Sequence, residues 1–191
     1  MTDRWQQYFA AAGDEPRITL LDALARHEAE GRDPGLAVDL GAGTGRDTSE
    51  LVRRGWRVVA VDAHADAVAR LRALGGSVEV VHAAYASADW PAADLINASF
   101  ALPFAAPHEF DRVWARVRAT LQPGGRFCGQ LFGPRDEWAP AEDMTFNSRP
   151  EIERLVDGWE LERLDEIDED GETATGRRKH WHLFHVVARR P

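Results

Sequence analysis

Apolar and polar positions alternate in blocks along the first two thirds of the chain. Five short apolar runs stand out: "GLAVDL" at 35–40, "WRVVAVD" at 56–62, "SVEVVHA" at 77–83, "DLINASF" at 94–100 and "RFCGQLFG" at 126–133. Each is too short for a buried helix and reads as a buried strand. Between them lie segments with apolar residues at helical spacing: "TGRDTSELVRRG", closed by Gly55, "AHADAVARLRALGG", and "PHEFDRVWARVRATL" before a "QPGG" turn. An earlier helix is expected around Pro16 to Glu30, where Ile18, Leu21, Leu24 and Ala25 share a face and Gly31 and Pro34 stop it. The link "AYASADWPAA" is too short for a full crossover helix. Strands alternating with helices predict a doubly wound α/β fold with a mostly parallel sheet.

The tail breaks the pattern. After a loop from Pro134 to Asn147, Ser148 and Glu151 fit a capping box for a short helix at about 149–157. "WELERLDEIDED" and "KHWHLFHVVAR" then alternate apolar and polar residues around the turn-rich "GETATG", which predicts an antiparallel hairpin closing the sheet. No linker or repeat interrupts the 191 residues, so one domain is expected: an N-terminal helical cap over 1–34, a core over 35–133, and a loop, helix and hairpin over 134–191.

Composition narrows the function. The formal net charge of −9 disfavours a nucleic-acid partner and favours a small-molecule substrate. No run is long and apolar enough to span a bilayer, and no secretory signal is visible, which points to a cytoplasmic location. A single cysteine, Cys128, sits in an apolar strand and reads as a core residue.

The chemistry concentrates in "AVDLGAGTGRD" at 37–47, a strand running into a glycine loop. A phosphate-binding P-loop requires a lysine after its glycines, and none is present. The dinucleotide fingerprint requires a small residue at 46, where Arg46 stands, and the third glycine is Gly45 instead. Asp39 ahead of the loop would repel a pyrophosphate and welcome an ammonium or sulfonium. Asp62, at the end of the second strand, is placed to accept both hydroxyls of a ribose. Together they describe a nucleoside with a cationic tail free of phosphate, and S-adenosylmethionine has that structure.

With "VVAVDAHADAV", "DLINASFALPF", "LQPGGRFCGQLFG" and the hairpin, the chain resembles a class I S-adenosylmethionine-dependent methyltransferase over nearly its whole length, near the small bacterial tellurite-resistance type. The resemblance implies a seven-stranded sheet and assigns roles. Asp39, Gly41, Ala42 and Gly43 would hold the methionine end, Asp62 the ribose and Ala63 the adenine edge. Ala84 and Tyr85 would flank the adenine, where many relatives place an acid; here backbone or Ser87 would replace it. Asn97, Ala98 and Phe100 would border the methyl-transfer site. Trp5 and Tyr8, on one helical face with Phe9, would form a lid and line the acceptor side, and Arg17 would pair with the cofactor carboxylate.

Three side chains are candidates for acceptor chemistry. His180 and His182 share one face of a predicted strand, with His185 on the other, so a three-histidine metal site is not expected. Tyr85 is the third, as an orienting hydroxyl. Trp90 and Trp138 lie in the two irregular segments and are candidates to line an acceptor site. "NASF" at 97–100 keeps the Asn and aromatic ends of the N-P-P-[YF] motif of nucleic-acid and protein N-methyltransferases but lacks both prolines. The expected activity is methyl transfer to a small molecule. The alternatives are an N-methyltransferase acting on nucleic acid or protein, a dinucleotide oxidoreductase and a non-catalytic cofactor-binding domain.

Overall fold

A computed structural model describes residues 4–191. Met1, Thr2 and Asp3, the start of the expected N-terminal cap, lie outside the described residues. Two N-terminal helices, α1 (Arg4–Ala11) and α2 (Ile18–Ala29), precede the alternating core. That core runs β1 (Leu36–Leu40), α3 (Arg46–Arg53), β2 (Arg57–Asp62), α4 (Ala65–Arg72), β3 (Val78–His82), β4 (Ala93–Ala98), α5 (Pro107–Thr120) and β5 (Leu121–Phe132). The chain ends with α6 (Arg149–Leu155), β6 (Glu160–Glu172) and β7 (Arg178–Arg189). As expected, no helix forms between β3 and β4, and Ser148 with Glu151 makes a reciprocal capping box on α6.

The seven strands form one sheet in the order β3-β2-β1-β4-β5-β7-β6. The first five are parallel, and β7 pairs antiparallel with both β5 and β6. Strand order reverses between β1 and β4, where open α/β sheets leave a crevice at the strands' carboxyl ends. The expected "QPGG" turn is instead part of β5. Its pairing with β4 jumps from Ala93↔Leu121 to Leu95↔Arg126, and Gly124 absorbs the irregularity at φ +76°.

Strand periodicity sorts the core into two layers. Val38, Val59, Ile96, Phe127 and Val186 pack on one face against Phe110, Trp114 and Ile152 of α5 and α6. Ala37, Val58, Leu95, Cys128 and Val187 pack on the other against Leu20 and Leu24 of α2, Leu51 of α3 and Leu71 of α4. Both faces are covered, which is why the parallel strands read as unbroken apolar runs. Cys128 is fully buried in this second layer, and burial pushes its thiol pKa up, as suits a core residue. Among the described residues, no helix is long and apolar enough to cross a membrane.

Candidate active site

A large cavity, about 1270 Å³, opens at the carboxyl end of the sheet. The glycine loop forms one wall. Gly41, Gly43 and Gly45 all have positive φ (69°, 55° and 82°). A Cβ on Gly41 would also lie 2.7 Å from Cβ of Ala101, so the loop and the segment after β4 approach too closely for a side chain. Asp62 braces this loop from β2, accepting from the Gly43 N–H and the His64 N–H, each at 2.8 Å.

Behind the loop lies a buried polar network. Asp39 and Asn97 are paired across β1 and β4, and their side chains share the face toward α3. Asn97 Nδ2 donates to Asp39 Oδ1 at 2.8 Å and to Asp47 Oδ2 at 3.0 Å. The Thr48 hydroxyl donates to the other Asp39 oxygen at 2.6 Å, and the Arg17 N–H donates to Asp47 at 2.9 Å. The Asn97 carbonyl oxygen accepts from Ser99 Oγ at 3.0 Å, so the amide is engaged at both ends. Burial, followed by the neighbouring Asp47 carboxylate, pushes the Asp39 pKa up to about 7. Asp39 and Asp47 both border the cavity. This acidic wall suits a cationic ligand group and opposes a pyrophosphate.

Two guanidiniums face the same end. Arg46 and Arg17 both reach the Tyr8 hydroxyl, at 3.1 and 3.5 Å, and Arg17 lies 4.6 Å from the Phe100 ring centre. Helix α1 crosses above. Phe9 packs edge-on against His64 at 5.1 Å, and Gln6 donates to Asp66 at 3.1 Å. Phe100 marks the border with the other half of the cavity. Among the described residues it is the one non-glycine with positive φ (50°), and its N–H donates to Gln130 Oε1 at 3.1 Å. A left-handed phenylalanine costs backbone energy and is held here by a buried side chain.

Of the residues expected from sequence, Asp39, Gly41, Ala42, Gly43, Asp62, Ala63, Ala84, Tyr85, Arg17, Phe100, Trp5 and Tyr8 all line this cavity. Asn97 and Ala98 do not. Both are fully buried, and Asn97 acts on the cavity through the two carboxylates it bridges. Ser87 also lies off the wall, its hydroxyl donating to the Ala84 carbonyl at 3.1 Å. Trp138 lines the cavity, whereas Trp90 is buried with its Nε1–H on Thr120 at 2.9 Å.

The candidate acceptor-site groups need correction. His180 and His182 lie outside the cavity lining. His180 sits between Asp168 and Asp170, at 2.9 Å from each, and those carboxylates raise its pKa. His182 is buried against Glu166 at 3.0 Å, with its Nδ1 accepting from the Arg135 N–H at 2.9 Å. The face of β7 that meets the cavity carries Trp181, Leu183 and His185. Tyr85 reaches the cavity, but its hydroxyl donates to the Ala101 carbonyl at 3.0 Å and burial raises its pKa, so it holds the loop together.

Sequence reading passed over Gln130 and the role of His185. Gln130 is 1% exposed. Its oxygen is fixed by the Phe100 N–H, so its amide nitrogen donates to Thr19 Oγ1 at 3.0 Å and faces His185 Nδ1 at 3.3 Å. Nδ1 is therefore the acceptor, and the neutral imidazole carries its proton on Nε2. Burial lowers the His185 pKa, which keeps the ring neutral.

Similarity to known proteins bears on the fold and the domain. Residues 37–125 match the model of a methyltransferase domain family. The chain has the class I methyltransferase fold, and S-adenosylmethionine is the cofactor that this domain implies. Among similar solved structures, TehB from Haemophilus influenzae superposes with a TM-score of 0.74 at 16% identity, over 89% of this chain and 62% of its own. This chain thus spans less than two thirds of TehB. A Burkholderia thailandensis 1,6-didemethyltoxoflavin N1-methyltransferase, solved with that compound and S-adenosylhomocysteine, is 25% identical, with a TM-score of 0.66 over 91% of this chain and 78% of its own. The Synechocystis magnesium protoporphyrin IX methyltransferase, solved with S-adenosylmethionine, is 15% identical, with a TM-score of 0.66 over 100% of this chain and 86% of its own. No curated protein matches the sequence.

Proposed function

We propose that the protein transfers a methyl group from S-adenosylmethionine to a small-molecule acceptor bound in the same cavity. The observation that carries this reading is the acidic wall of Asp39 and Asp47 beside a glycine loop, with Asp62 at the end of β2. Asp39 and the loop backbone would hold the ammonium end, Arg17 or Arg46 the carboxylate, Asp62 the ribose, and Ala63, Ala84 and Tyr85 the adenine. Bound there, the cofactor would supply an electrophilic methyl on a sulfonium: an acceptor lone pair would bond to that carbon as its bond to sulfur breaks, leaving neutral S-adenosylhomocysteine, with any proton of the acceptor passing to solvent. The chain's task is to align the acceptor and exclude water. α1 serves that task as a cover over the loop.

Both similar enzymes solved with a cofactor and named for their acceptors act on small molecules, which supports the same class here. A macromolecular acceptor is disfavoured by the net charge of −9 and by the absence of prolines in "NASF". Calorimetric titration with S-adenosylhomocysteine and with NAD tests the cofactor. Micromolar binding of the first with no measurable binding of the second is expected; preference for NAD would overturn the reading. Release of S-adenosylhomocysteine during an acceptor screen separates an enzyme from a non-catalytic sensor.

A further inference from the structure

The far end of the cavity has a chemistry of its own. Six aromatic rings line it: Trp5, Phe100, Phe104, Phe132, Trp138 and Trp181. They pack mostly edge to face, with Trp5 and Phe104 at 5.2 Å and 80°, Phe104 and Phe132 at 5.9 Å and 75°, and Trp138 and Trp181 at 5.5 Å and 66°. Phe132 is fully buried as the floor, and the other five rings are half-buried around the cavity. Apolar rings left partly in water around one cavity mark a binding surface for an apolar ligand.

The charges around these rings are of both signs and build no dedicated anion site among the described residues. Asp143 and Glu172 are on the wall. Arg177 is held by Glu137 at 2.6 Å, and Arg4 is exposed, lying 5.0 Å from the Trp5 ring centre. Lys179 stands behind the wall, 3.6 Å from the Trp138 ring centre, but its charge is matched by buried Asp136. Arg17 and Arg46 are grouped on Tyr8 at the cofactor end. Beside the rings stands His185, whose hydrogen-bonding leaves a proton on Nε2.

We propose, resting on the methyltransferase reading, that the acceptor is a flat aromatic or heteroaromatic molecule without net negative charge, one polar atom of which accepts a hydrogen bond from His185. An inorganic oxyanion would leave most of these rings uncovered. A planar ring would extend the edge-to-face cluster and cover surface that the protein leaves half in water.

The test uses the full chain saturated with S-adenosylhomocysteine at pH 8, titrated with isoquinoline, 1-naphthoate and tellurite. Isoquinoline is expected to bind, with 1-naphthoate about tenfold weaker and tellurite undetectable. Phe104→Ala is expected to weaken isoquinoline about tenfold while leaving S-adenosylhomocysteine affinity unchanged, which also reports that the variant folds. His185→Ala should weaken isoquinoline by about threefold to tenfold on the same control. Tighter binding of tellurite or 1-naphthoate, or isoquinoline affinity indifferent to Phe104→Ala, would overturn the proposal. If S-adenosylhomocysteine binds and isoquinoline does not, this inference fails and the methyltransferase reading stands. If S-adenosylhomocysteine itself does not bind, both fall.

Discussion

Around the glycine loop, polar groups face polar groups. Asp39, Asp47, Asn97 and Thr48 are buried and hydrogen-bonded to one another, and Asp62 spends both oxygens on backbone N–H groups. Around the hairpin end, rings face rings, and the buried Lys179–Asp136 pair stands behind the wall. The first region is preorganised for one charged ligand by directional bonds. The second is shaped for a class of ligands by area and ring geometry. A directional network fails sharply when one member is removed, whereas an apolar wall loses affinity by degrees. The two ends should therefore respond differently to mutation.

The sharpest test is Asn97→Leu. It removes the amide that bridges two buried carboxyl groups and leaves one oxygen of each unpaired. A loss of about 3 kcal/mol in folding stability is expected, read from urea denaturation. A change under about 1 kcal/mol would mean that the network is not a structural unit. Next is Asp62→Ala, which removes the brace of the loop and the proposed ribose contact together. S-adenosylhomocysteine binding should weaken about a hundredfold by calorimetry, with isoquinoline binding to the protein little changed. Equal losses at both ends would dissolve the distinction between them.

The same contrast decides what the sequence could reveal. The glycine-loop end was readable because its key residues are consecutive: Asp39 through Gly45 are fixed relative to one another by the backbone alone. The bridge was not, because Asp39, Asp47 and Asn97 meet through the β1–β4 register and the start of α3. The aromatic end draws a few residues each from α1, the segment after β4, the end of β5 and the loop after it, and β7, so no local spacing announces it. The hairpin was readable as a hairpin. Its cavity side was not, because β7 lies between β5 and β6 and both of its faces are covered, so alternation no longer marks inside and outside.

A smaller effect separates charge from shape at the cofactor end. Asp39, raised from 3.8 to about 7, remains protonated in the ligand-free fold where the unfolded chain would have ionised it. The native state then binds more protons between about pH 4 and 7, so this residue's contribution to stability falls as pH rises through that window. Asp39→Asn removes the penalty, and the Thr48 hydroxyl can rotate to suit an amide. The variant should melt about 3 °C higher than wild type at pH 8, with no gain at pH 4. Its S-adenosylhomocysteine affinity should fall about tenfold at pH 8, because the ammonium loses its anion. Wild-type affinity should rise from pH 6 to 8 with release of a proton, seen as buffer-dependent binding heat; a flat profile in wild type would place the ammonium elsewhere.

The smallest expected effect is the one that bears most directly on strand parity. His180 and His185 are five residues apart on β7, and an odd separation puts them on opposite faces. His180 is half-exposed between Asp168 and Asp170, where an ion pair contributes little to stability. His180→Ala should therefore leave turnover of any acceptor found by screening within about twofold of wild type, since the imidazole touches neither ring wall nor loop. His185→Ala, on the cavity face, should raise the acceptor KM and leave S-adenosylhomocysteine affinity intact. Loss of activity in His180→Ala, with His185→Ala unaffected, would mean that the acceptor approaches from the outer face of the hairpin. That result would remove the aromatic wall from the reaction while leaving the cofactor end as described.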